Sequence, residues 1–408
     1  MSPSPPDLGR AAAAASRPPH APVSRLRGVP GIGVDRMGDQ ADALADPAVL
    51  RLENLDTDLR PPAAALEATR RAVDEDAANS YLPFLGADVL RRTAAAHVGA
   101  LAGLDYDWRR SCLVTAGGLS GILTTLLALL EPGDAVVTTD PIYVGLLNRI
   151  RIAGGAPVLV PYRPERSGWR LDVDALRAAR ERRPRVVLMM SPSMPSGAVL
   201  TRAEWEAVAE LCREADAWLL YDAAMERILY DGAPYLHPGS LDGMVERTIT
   251  VGAVSKEQRM IGWRVGWVVG PPDIINDIGL VSISNVVCPV GIAQAAAAAA
   301  LAAPAADLAA AVAEWRRRRD ALAAECEGLP ILRAEGGWSL LLDVAALGWD
   351  SATASRRLRE QGRIAATAMV NWGSERSDRY VRFVFSNEPV ERLRGIGERV
   401  RRALQTSA

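Results

Sequence analysis

The chain has 408 residues, enough for two or three domains and a large buried core. Hydrophobic residues make up 49% and charged residues 24%, the balance of an ordinary globular chain. With 47 Lys and Arg against 49 Asp and Glu, nothing points to a nucleic-acid or anionic-membrane partner.

Residues 1–28 are Pro/Ala-rich and lack the basic-then-apolar order of a secretory signal, so a disordered leader is expected. "VLRLENLDTDLRPP" (49–62) reads as a short strand and a turn. Helical periods follow at 64–76 and 87–103. From Cys112, apolar runs alternate with helical stretches: "CLVTAGG" into "LSGILTTLLALL", and "DAVVTTDPIY" into "VGLLNRIRIAGG". "APVLVPY", "RVVLMMSPS", "AWLLYDAAM", "TITVGAVSK" and "RVGWVVGP" are further strand candidates, and 203–216 has helical spacing. The apolar run 293–315 comes nearest to a membrane span, but Pro304 and Asp307 divide it into two helices. After a helical stretch at about 290–327 come "GGWSLLLDV", "GRIAAT", "YVRFVFS" and a closing helix at 389–404. Strands alternating with helices predict an α/β fold, a mostly parallel central sheet with helices on both faces, plus a smaller α+β domain. The expected division is 77–300 for the large domain, with 29–76 and 301–408 in the small one.

The four cysteines (Cys112, Cys212, Cys288, Cys326) form no CxxC pair, so reduced thiols and a cytoplasmic location are expected. Three histidines leave little for a His-based triad, and no metal site is expected. Lys256 directly follows an apolar strand, where an ammonium is costly unless its pKa drops or it is paired. A Schiff base to a carbonyl cofactor resolves that cost, and a solvent-facing strand-end lysine is the plainer reading. Arg264, in "GWRVG", can fix a phosphate by two parallel bonds or make an ordinary surface ion pair. Asp222 ends a strand where open α/β sheets place ligand groups, although it can equally cap the helix that follows. Gly117, Gly118 and Leu119 stand at a strand-to-helix junction that can bind an anion or serve packing alone.

The order of glycine loop, Tyr143 in "DPIY", "SPSMPSG", Asp222, Lys256 and Arg264 resembles the class I/II aminotransferases. These are fold type I pyridoxal-phosphate enzymes. The resemblance covers about residues 48–405, and "SKEQRMIGWRVGW" is its most specific element. It implies an aminotransferase that exchanges an amino group between an amino acid and a keto acid. Lys256 would form the Schiff base with pyridoxal 5'-phosphate and shuttle the Cα proton. Asp222 would pair with the pyridine nitrogen, and Tyr143 would stack on the ring or simply pack. Arg264, Ser255 and the amides of 117–119 would hold the phosphate, and Arg382 the substrate α-carboxylate. Tyr81, in "NSYLPFLG", would reach the phosphate of a neighbouring subunit, implying a homodimer with shared sites.

Five positions depart from the family. Met194 stands where asparagine is usual and Met225 where tyrosine is common, and a thioether cannot donate to the cofactor 3'-oxygen. Losing both donors should keep the Schiff base protonated further into alkaline pH. An alignment shifted by one, with Ser193 beside the ring, is the plainer alternative. Ala253 replaces a frequent phosphate-binding serine, leaving Ser255 to compensate. Asn54 and Leu55 replace small residues of the substrate loop, and Arg60 is a substrate-binding candidate by proximity alone. The alternative reaction is a biosynthetic one on the same fold: β- or γ-elimination, replacement, cyclisation or oxidation. An acyl-CoA condensing enzyme would usually place histidine at Tyr143. A cofactor-binding regulator would need a DNA-binding segment that the Pro/Ala-rich start does not resemble.

Overall fold

Strands covered on both faces should be buried at every residue, and 112–115, 186–190, 248–253 and 266–269 meet that expectation, whereas 156–165 is buried only at Val160 and Tyr162. The computed structural model describes residues 23–165 and 168–405. The expected leader lies outside the described residues as far as 22, while Ser24–Leu26 forms a 3-10 turn rather than disordered chain. The N-terminal part contains α1 (Val34–Asp42), β1 (Leu50–Arg51), α2 (Ala63–Asp74), α3 (Asp88–Ala102) and α4 (Trp108–Ser111). The central part runs β2 (Cys112–Thr115), α5 (Gly118–Leu129), β3 (Ala135–Asp140), α6 (Val144–Ile152), β4 (Ala156–Glu165) and β5 (Gly168–Leu171). It continues with α7 (Val173–Ala178), β6 (Val186–Met190), α8 (Arg202–Glu214), β7 (Trp218–Asp222), β8 (Thr248–Ala253) and β9 (Gly266–Val269). Three helices, α9 (Pro272–Val286), α10 (Gly291–Leu301) and α11 (Ala305–Glu325), lead to the smaller domain. There β10 (Ser339–Asp343), α12 (Ser351–Gly362), β11 (Ile364–Ala365), β12 (Thr367–Ala368) and β13 (Tyr380–Val384) precede α13 (Val390–Leu393) and α14 (Ile396–Leu404).

The main sheet has the order β2-β9-β8-β7-β6-β3-β4-β5. Strands β4, β3, β6, β7 and β8 are parallel, so their C-terminal ends share one edge. That edge carries Asp222 at the end of β7, Ser255 and Lys256 just past β8, and Met194 in the loop after β6. The antiparallel strand β9 lies between β8 and β2, so Gly266 is opposite both Ala253 and Thr115. Beside it runs the turn into α5. A second sheet, β10-β13-β12, holds Arg382 opposite Leu341 and Thr367. Residue 52 bonds to both Ala365 and Val384 through its backbone, and so delivers 53–55 towards the main sheet. One hydrophobic core unites the two sheets, with Tyr221 and Met190 packed in the same cluster as Trp315, Trp338, Trp372 and Phe383.

Four local features differ from expectation. No element was expected over α1: Val34, Met37 and Ala41 of VDRMGDQAD share one face, but the helix is only nine residues long and Ala41 alone is fully buried. β5 is a four-residue strand recruited by pairing with the end of β4. α9 begins at a proline pair, which suits a helix N-terminus, but its apolar residues show little period. The closing helix is broken between α13 and α14, where Gly395 adopts φ 74°. The 293–315 run does divide into α10 and α11, bent by 87°, and no single described helix is long and apolar enough to cross a membrane.

Gly266 is the tightest constraint on the site's geometry. A Cβ there would stand 2.7 Å from the Gly118 nitrogen and the Gly252 oxygen, both backbone atoms that cannot swing aside. Gly266→Ala should therefore destabilise the fold by about 1–3 kcal/mol, measured as a lower denaturant midpoint. An unchanged midpoint would show that the α5 turn yields more easily than this packing allows.

Candidate active site

A cavity of about 630 Å³ opens at the C-terminal edge of the parallel strands. The main sheet supplies Asp222, Met225, Ala253, Ser255, Lys256 and Met194, and the turn into α5 supplies Gly118 and Leu119. Tyr143, Arg264, Asn54, Leu55 and Arg382 complete the wall, and α1 closes one side. Thus residues scattered over more than 300 positions converge because five parallel strands end together.

Lys256 is half-buried, and its Nζ donates to the Leu55 carbonyl at 2.6 Å. The same nitrogen lies 4.9 Å from the Trp338 ring centroid, a cation–π contact. Burial lowers the amine from its ordinary range to about 7; Arg382 and Arg264 add to the effect, and Asp56 and Asp222 oppose it. Asp222 is buried and raised to about 6 by that burial, against the Ala224 N–H, Arg149 and Lys256. No helix directly follows β7, so the expected helix cap is replaced by a turn over 224–227, in which Oδ1 accepts from Ala224 at 3.1 Å and leaves the second oxygen for the cavity. At neutral pH the carboxylate is mostly ionised. Tyr143 has its hydroxyl pushed up by burial, and its ring meets Trp372 edge-on at 5.5 Å.

Arg382 is buried, and burial lowers its guanidinium to about 10. Its Nη2 donates to the Glu53 carbonyl and to Thr367 Oγ1, Nη1 approaches Met194 Sδ at 3.5 Å, and Nε has no partner. Its guanidinium sits 4.8 Å from the Trp372 centroid. Among the described residues, Lys256, Arg264 and Arg382 make no ion pair. The site is built around unmatched positive charge.

These groups fit pyridoxal phosphate. Gly117 has φ 86°, and a Cβ on it would stand 2.6 Å from Arg264 Nη2, so glycine keeps open a cradle between that guanidinium and the start of α5. The Gly117 N–H is taken by the Thr115 carbonyl at 2.8 Å, which leaves the first-turn amides of Gly118 and Leu119 for an anion. Ser255 Oγ lies 3.3 Å from Arg264 Nη1 on the same side. An anion cradle, an amine of lowered basicity and a strand-end carboxylate are the donor set that a phosphorylated pyridine aldehyde needs.

Met194 and Met225 both line the cavity, whereas Ser193 is buried and does not. Tyr81 stands apart from the cavity with 80% of its surface exposed, and Arg60, whose carbonyl accepts from Arg259, is also outside it. Sequence reasoning missed Trp338, Trp372, Arg149 and the acidic residues Asp35, Asp39, Asp42 and Glu53. Arg149 donates to the Leu119 carbonyl at 2.8 Å and so steadies the α5 turn. One further signal stands in the sequence: of the 47 Lys and Arg residues, Lys256 is the sole lysine. Among the described residues, no group of three or more His, Cys, Asp or Glu could hold a metal ion.

A family model described as aminotransferase class I and II matches residues 50–395. The arginine–pyruvate transaminase of Pseudomonas aeruginosa is 34% identical over 78% of this chain and 81% of its own length. A probable N-succinyldiaminopimelate aminotransferase of Mycobacterium tuberculosis is 34% identical over 83% of this chain and 90% of its own. Among solved structures, the Thermus thermophilus aspartate aminotransferase with maleate aligns at TM-score 0.86 and 30% identity. That alignment covers 94% of this chain and all of the other.

The lowered Lys256 amine sets a pH dependence. A neutral amine is the nucleophile, and it predominates above about 7. Cofactor-free protein should therefore take up pyridoxal phosphate faster as pH rises through that value and level off above it. A stopped-flow uptake rate that keeps climbing towards the ordinary lysine range would contradict the desolvated environment.

Proposed function

The chain belongs to the class I and II aminotransferases, and on that premise we propose that the cavity around Lys256 is its catalytic centre. The protein is a pyridoxal-phosphate-dependent enzyme that moves an amino group between an amino acid and a keto acid. The observation carrying the site assignment is the set of three unpaired cations around one strand-end carboxylate.

When bound, pyridoxal phosphate supplies the electron sink that stabilises negative charge at the substrate Cα. Lys256 would hold the cofactor through Nζ, and the same amine, once free, would carry the proton at the substrate Cα. An amine titrating near 7 suits a base that must both take and return a proton. Asp222 would face the ring nitrogen and favour its protonated form, and Tyr143, itself held by Trp372, would cover the ring. Arg264, Ser255 and the Gly118 and Leu119 amides would hold the phosphate. Arg382 receives the α-carboxylate, supported by its buried, partnerless Nε and by the absence of any described carboxylate against it. Met194 and Met225 offer the cofactor edge no hydrogen-bond donor. Asn54 and Leu55 border the substrate.

A homodimer belongs to the same proposal. Tyr81, Phe84, Leu280 and Val290 are exposed apolar or aromatic residues. The segment around Tyr81 packs on the α9–α10 junction, where Gly279 faces Leu85 and Gly291 faces Ala78 and Leu82, so the four share one side. A second copy covering that side would bring Tyr81 towards its partner's site. Cytoplasmic residence is supported by four cysteines without a disulfide, three of them buried.

In a single turnover with its amino acid, the holoenzyme should yield keto acid and aminated cofactor in equal amounts; release of ammonia without aminated cofactor would overturn amino-group transfer. Arg382→Lys retains the charge but loses the bidentate fork. It should reduce the efficiency of that half-reaction by roughly 2 kcal/mol or more, about thirtyfold. Wild-type efficiency in this variant would remove Arg382 from carboxylate binding.

A further inference from the structure

The cavity is charged at both ends, with opposite signs. Asp35, Asp39 and Asp42 are spaced four and three residues apart on α1, which places them on one helix face, and all three line the cavity. Glu53 lies at the floor of the same wall and is wholly buried. Its Oε1 accepts from Arg51 Nε at 2.8 Å, while its Oε2 is buried without any partner. Arg51 also pairs with Asp42 at 2.6 Å. One guanidinium thus serves Asp42 and one oxygen of Glu53. Asp35 and Asp39 make no ion pair among the described residues.

We propose that the amino acid accepted by this centre carries a second positive charge at the end of its side chain, a guanidinium or an ammonium, bound by Glu53 and the α1 aspartates. The assignment rests on the reading of Lys256 and Arg382 as the amine and α-carboxylate ends of the site. Glu53 links the two ends directly, because its backbone carbonyl accepts from Arg382 while its side chain faces α1. A buried carboxylate oxygen without a donor is destabilising, and a ligand N–H removes that penalty. A neutral side chain leaves it in place, and a second carboxylate adds like-charge repulsion. A site built to bond a polar group therefore rejects analogues that lack it. A metal ion does not account for the wall, since no described group of three carboxylates converges on a common point.

The test is equilibrium binding to the holoenzyme by calorimetry, with single-turnover rates measured in parallel. The probes are arginine with its neutral analogue citrulline, lysine with norleucine, and glutamate. Each cationic probe should bind at least about tenfold tighter than its neutral analogue, and the better of arginine and lysine identifies the head group. Glu53→Gln should abolish most of that preference while leaving citrulline and norleucine within about twofold. The solvent-facing double variant Asp35→Asn with Asp39→Asn, which carries little folding risk, should reduce it severalfold. Equal binding of neutral probes, preference for glutamate, or a uniform loss across all probes in both variants overturns the cation subsite. Cation-selective binding without aminated cofactor sustains the subsite and overturns amino-group transfer. Amino-group transfer without charge preference does the reverse.

Discussion

A cation taken out of water without a counter-ion is unfavourable, and of the three around this cavity Lys256 is half-buried and Arg382 buried, while Arg264 stays exposed. Two of them lie against aromatic rings, Lys256 over Trp338 and Arg382 over Trp372, and these faces offset part of what a carboxylate would otherwise supply. Trp338 precedes β10 and Trp372 precedes β13, so the smaller domain supplies the partial counter-charge for a lysine carried by the main sheet. On the proposed reading, the remaining deficit would draw in anionic groups, a phosphate at the α5 turn and a carboxylate at Arg382. Binding specificity here begins as an unmet electrostatic demand.

The same constraint explains the packing at the strand ends. Glycine at 266 lets the α5 turn approach β8, and glycine at 117 keeps the space beside Arg264 clear. Leu55 matters through its carbonyl, which holds the Lys256 amine, rather than through its side chain. Leu52 is fixed by backbone bonds to Ala365 and Val384, and the Glu53 carbonyl by Thr367 Oγ1, so a shift of the smaller domain would move the lysine's partner and the Glu53 carboxylate together.

The parts of the site legible in the sequence are those whose geometry is local. Asp222 and Lys256 sit at the ends of buried strands, and Gly117 to Leu119 at a strand–helix turn, so position along an element already implies position in space. Met194 was legible as an anomaly, and it lines the cavity where Ser193 does not. The rest depends on long-range packing. Trp338 and Trp372 look like ordinary core residues until two domains are assembled around Lys256 and Arg382. α1 has an apolar face of only three residues, Val34, Met37 and Ala41, too short a period to stand out, and its cavity-facing aspartates look like an ordinary solvated face. Glu53, two residues past β1 in a polar stretch, reads as a surface residue, although the fold buries it completely. Tyr81 remains apart from the site within a single chain, which ties its role to the proposed second copy.

The central claim is that one lysine amine at the end of β8 holds the cofactor. Reduction of the holoenzyme with borohydride, followed by intact-mass and peptide mapping, tests it most directly. The account predicts one pyridoxyl group per chain, on the peptide containing Lys256, the sole lysine in the sequence. A chain that stays unmodified, or that carries the label on its N-terminal amine, would contradict it.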